Sequence, residues 1–185
     1  MYSDRNEGVA VYGLNSYTWK LLESNLGWRK SDYSSGVPII PSAQQPELMD
    51  TGKPFIVYGS AVRPPTHLYV HREESLAYNI FAPTSTEVNK IVSLLVETFQ
   101  RQDDAAADVN NWLATEAGVY NPVTKTYTGG RGYSREVSFT TIRTVLSEKA
   151  EPPDEEGGYV AGFVLMEYKY IAGDTDIVTS GFTYP

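Results

Sequence analysis

The sequence predicts an α+β domain: a mainly antiparallel four-stranded sheet with helices packed on one face, in the order αββααββ. Three observations carry this. A helical stripe of apolar residues lies at 88–99, two β-favouring runs precede it at 55–58 and 67–81, and two more close the chain at 137–146 and 159–171. At 185 residues, with 41% hydrophobic and 21% charged residues, the chain suits one domain with a true core.

Residues 1–12 read as a polar arm with little to bury, and Asn15 or Ser16 can cap a short helix ending near Asn25. Tyr17, Leu21 and Leu22 share one face of that helix, and Gly27 is its stop signal. Residues 28–54 hold Pro38, Pro41, Pro46 and Pro54, with Gly36 and Gly52. Proline lacks the backbone donor, so a central strand is excluded there, and loops of this length are usually functional or covered by a partner, which makes this the first place to look for an interface.

Phe55-Ile-Val-Tyr58 is the first strand. The second follows the Pro64-Pro65 turn, with Leu76, Tyr78 and Ile80 alternating against Ala77, Asn79 and Phe81. Thr84 and Glu87 then make a capping box ahead of Val88, Ile91, Val92, Leu95 and Phe99. Asp103 caps a further helix to about Thr115, its apolar face formed by Ala106, Val109, Trp112 and Leu113. The turn-rich stretch 117–134 can hold a small hairpin.

The closing strands flank a long acidic hairpin loop, 147–158. The last strand is apolar on both faces: Phe163 and Leu165 on one, Val164, Met166 and Tyr168 on the other. A strand of this kind is either central and covered on both sides or covered by another subunit, and a single layer of helices would cover only one face. Residues 172–185 read as an extended tail.

A formal charge of −8 argues against a protein that grips phosphates, which takes clustered Lys and Arg. Without cysteine there is no disulfide framework, no thiolate zinc site and no thiol nucleophile. The polar Met1–Glu7 start lacks the apolar core of a secretory signal, and no run is long enough to span a membrane, so a soluble, non-secreted product is expected. Fourteen tyrosines suit surfaces that are wet in the monomer and covered in an assembly.

Candidate chemistry is thin. His67 and His71 lie on a strand, where four residues separate side chains by about 13 Å, too far to share an ion. Asp103-Asp104 is explained by a helix N-terminus and Asp154-Glu155-Glu156 by a solvated loop. Gly129-Gly-Arg-Gly132 precedes a strand rather than a helix, so it reads as a turn and not a phosphate cradle. The sequence therefore argues for a non-enzymatic protein without cofactor or metal.

Ile39-Ile-Pro-Ser-Ala-Gln-Gln-Pro-Glu-Leu48, with Gly52-Lys-Pro-Phe-Ile-Val-Tyr58 after it, resembles the early part of tail-terminator proteins of contractile-tailed bacteriophages, also called tail-completion or sheath-stabilising proteins. Glu74-Ser-Leu-Ala-Tyr-Asn-Ile-Phe81, the helix to Phe99, Arg101-Gln-Asp-Asp-Ala-Ala-Ala-Asp-Val-Asn-Asn-Trp112 and the two closing strands extend the resemblance over roughly residues 37–171. It implies a homohexameric ring in the virion. The ring would cap the tail tube, bind the sheath end and face the neck connector, with DNA passing through its channel without tight binding. The candidate subunit or partner interface is Ile39, Ile40, Gln44, Gln45, Pro46, Glu47, Val164, Met166 and Tyr168, and the candidate channel rim is Glu148, Glu151, Asp154, Glu155 and Glu156. Other virion roles, as head–tail adaptor, tail-tube or baseplate component, are alternatives, and a small-ligand-binding α+β module is the alternative of another class.

Overall fold

A computed structural model of the chain describes residues 3–34, 38–43, 52–62, 71–117, 119–121, 126–128, 137–150 and 158–172. The elements are α1 (Ser3–Leu26), a short 3-10 turn (Lys30–Asp32), β1 (Ile39–Pro41), β2 (Phe55–Val62), β3 (His71–Ala82), α2 (Ser85–Phe99), α3 (Asp103–Ala117), β4 (Val119–Asn121), β5 (Thr126–Thr128), β6 (Val137–Glu148) and β7 (Val160–Ala172). The sheet has five strands in the order β1-β2-β3-β7-β6, and β4 and β5 pair separately as a small hairpin.

This corrects the expected four-stranded, mainly antiparallel sheet. The added strand is β1, and it runs parallel to β2, so the sheet is mixed. It forms inside the proline-rich stretch because its proline sits where no donor is needed. Pro38 O accepts from Ile56 N–H at 2.8 Å and Ser42 N–H donates to Tyr58 O at 2.8 Å, so the bonds around Pro41 fall on its neighbours. At the sheet edge a proline is tolerated.

The N-terminal expectation is corrected too. α1 begins at Ser3 in place of a polar arm and a short later helix. Ala10, Val11, Leu14, Tyr17, Thr18 and Leu22 are all buried, a stripe at spacings of 3 and 4 that Ala and Thr keep weakly hydrophobic. Gly13 is where α1 meets α3: a β-carbon there would lie 3.1 Å from Leu113 Cδ1. Gly27 does end the helix, with φ at 71°.

α2 forms as its periodicity demands. Thr84 Oγ1 accepts from Glu87 N–H at 3.2 Å, which caps the helix, and the hydroxyl donates to Glu87 Oε2 at 3.0 Å. Val88, Ile91, Val92, Leu95 and Phe99 are buried against the sheet, with Leu76, Tyr78, Ile80, Val164 and Met166 facing them in one core. Gln102, at φ 51°, sits at the turn into α3.

α2 approaches β7 most closely at Gly162. A β-carbon there would lie 2.4 Å from Val88 Cγ1, 3.1 Å from Val92 Cγ2 and 3.2 Å from Glu148 O. The Gly162→Ala variant is therefore expected to lose about 2 kcal/mol of stability by overpacking, read as a lower denaturation midpoint; an unchanged midpoint would contradict the packing. Thr84→Ala, which removes the N-cap of the same helix one turn before Val88, is expected to cost about 1 kcal/mol in the same assay.

Candidate functional site

The strand alternation gives the sheet two unlike faces. One is sealed by helices. The other is apolar and buried at one end, partly exposed along β7 and β6, and charged at the other end.

At the apolar end, Ile40, Phe55 and Val57 are buried in a small cluster of their own, with Phe81 packed beside them. Phe55 stacks on Phe81 at 5.1 Å and meets Tyr159 edge-on at 5.2 Å. The Tyr159 hydroxyl accepts from Gly52 N–H at 2.8 Å, while the residue stays 40% exposed. Phe163 and Leu165 of β7 continue the surface half-buried, and Leu146 of β6 lies directly opposite Leu165. Val145 and Leu146 are 49% and 48% exposed. At the charged end, Arg143 pairs with Glu167 at 2.6 Å and Lys169 with Glu73 at 3.5 Å. Such solvated pairs set register and partner choice more than stability. Glu167 holds the Arg143 guanidinium above its ordinary pKa, chiefly through their hydrogen bond.

β6 is the outer strand on this side, and α2 and α3 clasp it near both ends. Asn110 on α3 donates its amide to Phe139 O and accepts from Phe139 N–H, both at 2.8 Å. Asn89 on α2 does the same just past the strand, accepting from Ala150 N–H at 2.9 Å and donating to Ala150 O at 3.3 Å. Each side-chain amide stands in for the next strand of a ladder. Neither clasp is legible in the sequence, because an amide matched to a distant backbone leaves no periodic signal.

Several expected interface residues belong elsewhere. Val164, Met166 and Tyr168 are each fully buried under the helices of the same chain, so the covering the last strand calls for comes from within on that face. The residues left for a neighbour are those on the opposite side, Phe163 and Leu165. Ile40 is buried in the small cluster and Ile39 is half-buried beside it. Gln44, Gln45, Pro46 and Glu47 lie outside the described residues, as do Glu151, Asp154, Glu155, Glu156 and His67. Glu148 ends β6, exposed. Asp103 and Asp104 occupy the first turn of α3 as expected.

The tyrosines are less wet than their number suggests. Tyr17, Tyr33, Tyr78, Tyr168 and Tyr170 are all buried. Tyr168 and Tyr170 donate to the two oxygens of Glu74, at 2.9 and 2.6 Å, and Glu74 is 1% exposed. In sequence Glu74 looks like a solvated strand residue beside Glu73; only the pairing of β3 with β7 brings the two phenols to it. Tyr78, also sealed, donates to Asn15 Oδ1 at 2.7 Å and shares a hydrogen bond with Thr18 at 3.2 Å.

The most enclosed groove described, about 410 Å³, lies between the end of α1 and α2. Its carboxylate is Glu87, already engaged in the helix cap, beside Lys90. Among the described residues no three His, Asp or Glu side chains converge where they could hold a metal ion, and no helix is long and apolar enough to cross a membrane. No known family model matches the chain, and no curated protein matches its sequence.

Glu74→Gln cannot accept both phenols on equal terms and is expected to cost about 2 kcal/mol, read as a lower denaturation midpoint. Stability should also fall at high pH. Burial raises the Tyr78 phenol above its ordinary value of 10.0, so folding holds that proton more tightly than the unfolded chain does. The Tyr78 contribution is thus complete below pH 10 and is lost as pH rises beyond it. Tyr78→Phe should flatten that alkaline decline; an equally steep decline in the variant would refute the assignment.

Proposed function

We infer that this chain is a non-enzymatic structural subunit that works by self-association, and that its place is the terminator ring of a contractile phage tail. The observation that carries the reading is the one-sided cover of the sheet. Helices seal one face, while on the other Phe163 and Leu165 of β7 stand half-buried, Leu146 of β6 lies opposite Leu165, and Leu146 and its neighbour Val145 are about half exposed. Apolar residues grouped in this way ask for a protein neighbour, whereas singly scattered ones do not.

The resemblance over residues 37–171 supplies the specific role. A head-to-tail contact repeated by rotation closes a ring, and a closed ring stops an open stack from growing. In the virion it would lie on the last layer of the tail tube, hold the sheath end and meet the neck connector. Six copies at −8 each carry a formal −48, which keeps passing DNA from adhering.

Electron microscopy of virions labelled on this chain is the direct test. A single ring at the tube–neck junction is expected; label along the tube or at the baseplate would reject the terminator role. Leu165→Asp places a charge in the apolar surface and is expected to leave the fold intact while abolishing ring formation, seen as tails of irregular length. The acidic rim is tested separately. Replacing Glu148, Glu151, Glu155 and Glu156 with Gln should slow genome ejection, and ejection at the normal rate would remove the rim from the mechanism.

A further inference from the structure

We propose that the outer edge of β6 joins a second copy of this chain, strand against antiparallel strand, about a two-fold axis between Val145 and Leu146. Among the described residues β6 is an edge strand, and the amide clasps there protect Phe139 and Ala150. Phe139 lies opposite Tyr170 with its backbone groups turned outward to Asn110. Continuing the alternation through the two register shifts, at Phe139/Thr141 and Thr144/Leu146, turns the backbone of Ile142, Thr144 and Ser147 outward as well. Among the described residues that stretch is a row of donors and acceptors with no strand beside it, of the kind that recruits another strand.

What selects a second copy is self-complementarity. In this register Arg143 lies opposite Glu148 of the other copy, and by symmetry Glu148 opposite Arg143. Both side chains are on the open face, since their β7 partners are Glu167 and Phe163. Val145 and Leu146, each about half exposed, meet their counterparts on the axis. Thr144 lies opposite Ser147, and Thr144 Oγ1 is a buried hydroxyl with no hydrogen-bond partner in the single chain. Cross-strand hydroxyl pairs and opposite charges are the contacts that stabilise such a ladder. The bulge and the charge on this edge would discourage an ordinary strand. A copy carrying the same bulge at the same point matches them.

The product is a ten-stranded sheet with the helices of both copies on one side. It does not rest on the ring reading. A two-fold contact cannot propagate around a ring, so in that reading the pair is the form the chain takes before it meets the tube.

Native mass spectrometry of the intact chain should find a dimer. The chain has no cysteine, so single-cysteine variants report position cleanly. Mixing Arg143→Cys with Glu148→Cys under mild oxidation should give a linked mixed dimer well in excess of that from either variant alone. Arg143→Glu or Glu148→Arg alone should weaken pairing about tenfold, and the double exchange R143E/E148R should restore it. Circular dichroism of each variant checks that the fold is kept. A chain that stays monomeric at high concentration would overturn the proposal, as would a dimer in which the mixed pair fails to link. Hexameric rings without that link would also overturn it while leaving the ring reading intact. A linked dimer from a chain that is absent from the phage neck would keep the pairing and sink the ring.

Discussion

The close approach of α2 to β7 at Gly162 is the constraint on which the architecture turns. Val88 and Val92 come down onto a strand position with no side chain, so the helix sits as low on the sheet as its backbone allows. That places Ile91, Leu95 and Phe99 within reach of Leu76, Tyr78 and Met166 and excludes water from that face of the sheet. Three helices then share one side. α3 follows α2 through a short turn, and α1 packs on α3 through Gly13. All the helical cover falls on one layer, and the other face of the sheet is left to different means.

Polar groups inside this core fix the relative positions of elements that apolar packing alone would let slide. Glu74 accepts from Tyr168 and Tyr170 and so ties β3 to β7 at one register, since a slip of one residue would send both phenols to the opposite face. Tyr78 reaches Asn15 and Thr18 and ties the sheet to α1. Asn89 and Asn110 anchor β6 to α2 and α3 through its backbone. Each is a buried or half-buried polar group with its hydrogen bonds satisfied, the condition under which such groups specify a structure and do not destabilise it.

The proposed assembly rests on the asymmetry of cover. A sheet with one dry face and one apolar, partly exposed face presents a surface suited to a neighbour's side chains, and the outer run of β6 presents backbone groups suited to a neighbour's strand. The two are adjacent, meeting at Leu146, yet they make different demands. The face accepts any complementary apolar surface, which a head-to-tail contact can supply. The edge accepts only a strand in register, which favours a symmetric partner.

The sequence by itself determined the elements whose signal is local. α2 was legible from its capping box and stripe, the Gly27 stop from its residue type, and β2, β3, β6 and β7 from β-favouring runs, because propensity, capping and periodicity act within a few residues. It also showed that β7 is apolar on both sides. Tertiary structure alone decided which side is which: Val164, Met166 and Tyr168 go under the helices and Phe163 and Leu165 stay open, a choice made by where Gly162 admits α2. The same holds for β1, whose partner β2 is supplied from more than ten residues away, and for α1, whose buried stripe from Ala10 to Leu22 is recognisable only against the rest of the core. The clasps of Asn89 and Asn110 and the burial of Glu74 join residues far apart in the chain. No local pattern encodes them, because the free energy that selects them exists only once the distant partner is in place.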